Sequence, residues 1–61
     1  MKTSEFIRQL LKEGIKFLKH GKNHDWYINL ENGNVSQISR HGSQEIKTGT
    51  ANRIRKDLGL K

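Results

Sequence analysis

The fold of this chain is decided by the stretch HDWYINLENGNVSQISR, residues 24–40, in which two strand-like segments flank an Asn-Gly pair. Alternating side chains, with aromatic and β-branched residues among them, favour a strand over residues 24–30. Asn32-Gly33 is the strongest short-range hairpin signal and predicts a two-residue type I′ turn. The chain is then expected to return as a third strand over residues 35–40. This hairpin forms the centre of the predicted sheet.

The Asn32-Gly33 turn also sets which residues of the two strands face each other. A two-residue turn places His24 opposite His41 on one face of the hairpin. It places Asp25 opposite Arg40 on the other face. Directly opposed Cβ atoms lie about 4.5–5.5 Å apart. Provided that pairing continues to the strand ends, two imidazoles meet on one face and an ion pair forms behind them.

Alternation divides the side chains of the second strand between two faces. Trp26 and Ile28 share the face of His24, and this apolar face predicts that Trp26 belongs to the core. Tyr27 lies on the opposite face, where it either packs against the sheet or stacks on a nucleic-acid base. Partial burial is the favoured interpretation of Tyr27.

The segment before the hairpin predicts one helix and one strand. Apolar side chains recur with helical spacing over residues 4–13, between Thr3 as N-cap and Gly14 as left-handed C-cap. Residues 15–20 carry β-branched and aromatic side chains that favour a short strand. Residues 20–23 are expected to form a turn.

The segment after the hairpin predicts a loop and a second helix. Residues 41–47 form the loop, and Thr48 caps a helix whose apolar side chains recur at helical spacing. Gly59 ends this helix, and Leu60 completes a Schellman motif. The predicted order is α-β-β-β-α, an α+β fold with a three-stranded antiparallel sheet and both helices on one face. We expect a single domain spanning residues 1–61.

Composition points to an anionic partner. Twelve Lys and Arg against six Asp and Glu give a net charge of +6. This balance indicates nucleic acid, an acidic protein or both, and it favours nucleic acid over a charge that serves solubility alone. The absence of Cys excludes disulfides and thiolate metal sites. Without a signal peptide or an apolar run of about 20 residues, a cytoplasmic protein with no membrane contact is expected.

His24 is the candidate for chemistry. Metal-free cleavage of RNA needs a base for the 2′-hydroxyl, an acid for the leaving oxygen and cations for the phosphate. Histidine can exchange a proton near neutral pH. Lys22 and Asn23 precede His24, and Arg40 and His41 are predicted to face it. His41 is a second acid or base, a phosphate donor, or a loop residue without function. From spacing alone, a surface histidine at a strand end is the favoured interpretation of His24.

Lys47 is a further candidate for phosphate binding. It directly precedes the second helix, whose N-terminal amides favour an anion. The alternative is a solvated lysine. The three His residues lack the spacing of a zinc site, so no metal and no cofactor are expected.

The chain resembles the HicA family of bacterial toxins, the mRNA interferases of HicA–HicB toxin–antitoxin pairs. The resemblance covers nearly the whole chain and is carried by MKTSE at residues 1–5, GKNHDWY at 21–27, SRHG at 39–42, EIKTGT at 45–50 and IRKDLGL at 54–60. Each piece is weakly specific alone, but the five in this order are fairly specific together.

The resemblance implies a fold like a double-stranded-RNA-binding domain and endoribonuclease activity on mRNA in the bacterial cytoplasm. His24 takes the catalytic role, and Gly21 shapes the turn before it. The implied partners are mRNA and a HicB-type antitoxin that silences the toxin. The chain would be a monomer alone and a hetero-oligomer with the antitoxin. The alternatives are a non-catalytic RNA-binding module and a protein-interaction domain.

The chain departs from the family pattern at two places. Family members often carry proline next to the histidine that follows the third strand, whereas this chain has Ser39 and Gly42 at those positions. This difference leaves the role of His41 open. Lys22 stands where many members have Ser or Gly, and it adds charge near the site. The full set of predicted RNA-binding residues is Lys22, Asn23, Arg40, His41 and Lys47.

Overall fold

The computed structural model describes residues 1–60, which form two helices and three strands. In chain order the elements are α1 (Thr3–Lys12), β1 (Ile15–His20), β2 (His24–Asn29), β3 (Val35–Ser39) and α2 (Thr48–Asp57). The strands form one antiparallel sheet in the order β1-β2-β3. The predicted α+β fold is confirmed, and it is consistent with that of a double-stranded-RNA-binding domain.

Both helices pack against the same face of the sheet. In so short a chain, burial of apolar side chains in this single layer supplies most of the stability. Each Leu or Ile side chain removed from water contributes about 1.5–3 kcal/mol. The core consists of Phe6, Leu10, Ile15, Tyr27, Ile38, Ile54 and Leu58.

The prediction of which face of β2 is buried is wrong. Trp26 lies outside the core, on the face away from the helices, whereas Tyr27 lies in the core with 7% of its surface exposed. The favoured burial of Tyr27 is thus confirmed, and burial raises the pKa of its hydroxyl. Asn29 lies on the same buried face, where its amide is satisfied because it donates to the Leu58 backbone oxygen at 2.8 Å. Apolar residues occupy both faces of β2, so alternation alone does not identify the buried one.

The turn between β2 and β3 contains four residues rather than the predicted two. The Gly33 N–H donates to the Asn29 oxygen at 2.7 Å, and the Asn29 N–H donates to the Asn34 oxygen at 2.8 Å. Gly33 has a φ of 76°, in the left-handed region that favours glycine. Asn32 Nδ2 donates to the Leu58 oxygen at 3.2 Å, so the longer loop reaches α2 and helps to cap its end.

The longer turn shifts the pairing of β2 with β3 by two positions. His24 pairs with Ser39 instead of His41. Asp25 pairs with Ile38 instead of Arg40. Side chains alternate between faces with a period of two, so this shift changes the partners without moving any residue to the other face.

The two predicted N-cap threonines are the first helical residues instead. Lys2 and Lys47 occupy the N-cap positions, and neither makes a side-chain cap hydrogen bond. Thr3 donates from its N–H and its Oγ1 to the Gln44 oxygen, at 2.9 and 3.0 Å. These bonds tie the loop between β3 and α2 to the start of α1, which is why Thr3 does not cap its own helix.

The helices end at the predicted glycines. Gly14 and Gly59 have φ values of 94° and 76°. The Gly59 N–H donates to the Lys56 oxygen at 3.0 Å, and the Leu60 N–H donates to the Arg55 oxygen at 2.8 Å. These two bonds form the predicted Schellman motif. Within residues 1–60, no helix has the length and apolar character to cross a membrane.

Candidate active site

His24 is exposed at the start of β2, on the sheet face opposite the two helices. Trp26 follows two positions along the same face and is half-buried. Ser39 lies opposite His24, and Gln37 lies opposite Trp26. The imidazole is therefore accessible to a large substrate and is bordered by an aromatic ring and polar side chains.

A tight turn before β2 places His24. The Gly21 N–H donates to the His24 backbone oxygen at 2.7 Å. A Cβ atom on Gly21 would lie 2.5 Å from that oxygen and 3.2 Å from Trp26 Nε1. The left-handed region is occupied only by Gly14, Gly33 and Gly59 among the described residues. Gly21 is thus required by close approach of the chain rather than by its φ.

Asp25 forms an ion pair with Arg40 behind the exposed face. Arg40 Nε donates to Asp25 Oδ1 at 2.8 Å, so the predicted pair forms although Ile38 is the directly opposed residue. His20 Nδ1 lies 2.9 Å from the same oxygen. The hydrogen bond to His20 and the nearby Arg40 guanidinium hold the pKa of the Asp25 carboxyl below its usual range. The Arg40 guanidinium also donates to the Gly21 backbone oxygen.

His41 does not lie opposite His24. It follows the end of β3 by two positions, its side chain is exposed, and its N–H donates to Ser39 Oγ at 3.3 Å. The predicted pair of imidazoles across the sheet is wrong because the four-residue turn moves the register. Ser39 occupies the position that His41 was expected to fill.

An open groove runs beside the free edge of β3 and connects His24 with α2. Its volume is about 600 Å³, and it includes Lys47 and Arg53 together with His24 and Trp26. Among the predicted RNA-binding residues of the described chain, Lys47 alone joins His24 in this groove. The others, Lys22, Asn23, Arg40 and His41, are exposed but lie outside it.

Three residues on the face of His24 or in its groove were not predicted as site residues from the sequence. A β-bulge in β1 brings Lys19, rather than Leu18, opposite Trp26. No feature of the sequence indicates that bulge. The Arg53 side chain is 84% exposed in the groove, and its position directly before the core residue Ile54 on α2 could have indicated it. Trp26 lies two residues after His24 in the same strand, and this spacing already indicated that the two side chains share a face.

The fold and the site define a small basic α+β protein with an exposed histidine beside a glycine turn, and its fold is consistent with that of a double-stranded-RNA-binding domain. The profile of a family described as "HicA toxin of bacterial toxin-antitoxin" matches residues 3–60. The chain belongs to this family, and the resemblance of its motifs is confirmed.

A curated relative is 39% identical over 61 residues, a match that covers 100% of this chain and 98% of the relative. The relative is named "Probable mRNA interferase HicA" and comes from Pseudomonas fluorescens (strain Pf0-1). No solved structure matches the chain significantly.

The close approach at Gly21 predicts that a single methyl group there destabilises the turn. We expect Gly21→Ala to lower the free energy of unfolding by about 1–3 kcal/mol, as overpacking does elsewhere. Gly49→Ala is the matched control, because no atom lies within 4 Å of its Cβ position. In a helix, that change is neutral or stabilises by up to about 1 kcal/mol. Urea denaturation measures both, and equal midpoints for the two variants would contradict the assignment.

Proposed function

We propose that this chain is a metal-independent endoribonuclease that cleaves mRNA, with His24 acting in proton transfer. The observation that carries the proposal is the exposed His24 on the open face of the sheet, in a member of the HicA toxin family. The name of its relative, a probable mRNA interferase, supports the same class of reaction.

The proposed reaction removes one proton and delivers another. A base takes the proton of a ribose 2′-hydroxyl, and the 2′-oxygen forms a bond to the adjacent phosphorus. The bond from phosphorus to the 5′-oxygen breaks, and that oxygen accepts a proton. The products are a 2′,3′-cyclic phosphate and a 5′-hydroxyl, with no further reactant consumed. We assign one proton transfer to His24, and His41 is the candidate for the other transfer or for a hydrogen bond to phosphate.

Cationic side chains and one amide near His24 are proposed to hold the scissile phosphate and its developing charge. Lys22 and Asn23 are exposed in the turn directly before His24. Lys47 borders the same groove as His24, at the start of α2. The sequence also predicts Arg40 as a phosphate ligand, whereas in the structure its guanidinium donates to Asp25 and to the Gly21 backbone oxygen.

Trp26 is proposed as a platform on which an RNA base stacks beside His24. Its side chain is half-buried on the sheet face opposite the helices, so part of it remains accessible to a base. Lys19 and Gln37 lie opposite Trp26 on the neighbouring strands. A cation and an amide beside an aromatic ring suit a nucleotide, since the ring takes the base and the cation attracts the phosphate.

The proposed cellular role is that of a toxin silenced by a HicB-type antitoxin that covers His24. The matched family description, a toxin of bacterial toxin–antitoxin pairs, supports this role. We propose that the chain is a monomer alone, forms a hetero-oligomer with the antitoxin and acts in the bacterial cytoplasm.

A non-catalytic RNA-binding module is the second candidate function. One observation favours it: Ser39, rather than a second imidazole, lies opposite His24. Such a module would bind RNA with strong salt dependence and leave it intact.

Replacing the imidazole of His24 tests the proposal. His24→Ala should abolish mRNA cleavage and growth arrest while the protein remains folded, because general acid–base catalysis contributes about 10²–10⁴-fold. His41→Ala is the matched variant, and an equal loss would identify it as the second proton-transfer residue. Coexpression of the antitoxin should relieve growth arrest by the parent protein.

Two conditions separate the nuclease from the binding module. Cleavage should persist in excess chelator and should stop when the scissile nucleotide carries a 2′-deoxy group. RNA that is bound but never cut by the parent protein would support the module. A His24→Ala variant that cleaves as fast as the parent would overturn the assignment of His24.

Stacking on Trp26 predicts a difference between aromatic and aliphatic replacements. Trp26→Leu should raise the Kd for a non-cleavable 2′-O-methyl RNA, whereas Trp26→Phe should retain most of the affinity. One stacked base contributes about 1–3 kcal/mol, which is about 5- to 150-fold in Kd. Fluorescence anisotropy measures both variants. Trp26 is the single tryptophan, so its intrinsic fluorescence should be quenched in the parent complex. Unchanged fluorescence with equal Kd values would rule out stacking.

A further inference from the structure

We propose that Arg40 and Asp25 are positioning residues that hold the His24 turn in its reactive geometry. The inference rests on the proposed function, because it assigns these residues to the same site. It differs from the expectation that Arg40 holds phosphate, since the contacts made by its guanidinium lead to the backbone around His24 and not to a substrate.

The contacts form a continuous path from Arg40 to His24. The Arg40 guanidinium donates to the Gly21 oxygen, and the Gly21 N–H donates to the His24 oxygen at 2.7 Å. Both backbone polar groups of Gly21 are therefore engaged. Gly21 has no side chain to pack, so its contribution to the turn comes through these two backbone bonds.

Asp25 fixes Arg40 at the other end of this path. Asp25 directly follows His24 in the strand, so its side chain points to the face on which the helices pack. An RNA bound on the face of His24 would lie on the other side of the sheet. The Arg40 side chain reaches Asp25 diagonally, from two positions beyond the directly opposed Ile38. Diagonal neighbours lie about 7–8 Å apart, which a long side chain can span. A planar guanidinium can bond Asp25 and Gly21 together, whereas the ammonium of lysine lacks that fork.

The group joins the same end of all three strands. His20 ends β1, Asp25 lies in β2 and Arg40 follows β3. The side chain of Asp25 is 17% exposed, and its contacts with His20 and Arg40 lower the pKa of its carboxyl. Tyr27 is the neighbouring titratable group on the buried face, and it is raised in pKa mainly by its own burial.

Positioning and phosphate holding predict different kinetics. A displacement of about 1 Å at a reacting group can cost about 10²-fold in rate. Loss of a positioning residue therefore lowers kcat and leaves KM nearly constant. Loss of a phosphate ligand weakens RNA binding, and a lysine that keeps the charge would restore much of it.

Three variants separate the two roles: Asp25→Asn, Arg40→Lys and Arg40→Ala. We expect all three to lower kcat by about tenfold to hundredfold, with KM changed by less than about twofold. Asp25→Asn is decisive, because it releases the guanidinium for phosphate without removing it. Parental kcat in Asp25→Asn, or a raised KM in Arg40→Ala that Arg40→Lys restores, would overturn the positioning role.

The ion pair between Glu13 and Arg55 provides a matched control. Arg55 donates to the two Glu13 oxygens at 2.7 and 2.8 Å, between the end of α1 and α2. Glu13→Gln and Arg55→Lys are the same chemical changes as those made at the site. They should leave kcat at the parental value even where they lower the melting temperature. A similar loss of kcat in these controls would mean that general destabilisation explains the effect.

Amide hydrogen exchange gives a second readout that needs no RNA. The Gly21 N–H should exchange faster in Arg40→Lys and Asp25→Asn than in the parent, and the controls should leave its rate unchanged. Unchanged exchange in both site variants would overturn the path from Arg40 to His24. Parental cleavage by His24→Ala would overturn the proposed function together with this inference. Cleavage that needs His24 but neither Asp25 nor Arg40 would overturn the inference alone.

Discussion

Burial of Tyr27 between the sheet and the two helices is the contact on which the rest of the structure depends. Side chains alternate along a strand, so burying Tyr27 turns His24 and Trp26 to the opposite face. Within residues 1–60 no helix covers that face, and His24 is exposed there. The site thus results from the packing of the core, because the same alternation that fills the apolar layer leaves an imidazole and an aromatic ring open to solvent.

Asn29 and Asn32 connect the hairpin to the end of α2. Their amides donate to the Leu58 oxygen at 2.8 and 3.2 Å, which satisfies a backbone acceptor at a helix end. A two-residue turn would not give the loop this reach. The four-residue turn also sets the register of the two strands and puts Ser39, not His41, opposite His24. A polar contact far from the site thereby determines which side chain accompanies the candidate catalytic residue.

The order of the elements could be read from the sequence, because it depends on local signals. Helical spacing, terminal glycines and the glycine turn at Gly21 each act within a few residues. The buried face and the register could not be read, because they depend on distant partners. Asn29 is polar and looks like a surface residue until the Leu58 oxygen is placed beside it. The predicted ion pair of Asp25 and Arg40 is present although the predicted register was wrong, because the long arginine side chain reaches a diagonal neighbour.

RNA is proposed to bind on the open face of the sheet, and mapping of the bound strand by nuclear magnetic resonance tests this most directly. Labelled protein titrated with a non-cleavable 2′-O-methyl RNA should show its largest shift changes at His24, Trp26 and Gln37, and at Lys47 along the groove. Tyr27 in the core should change little. Shift changes confined to the helices, with His24 and Trp26 unaffected, would contradict the account.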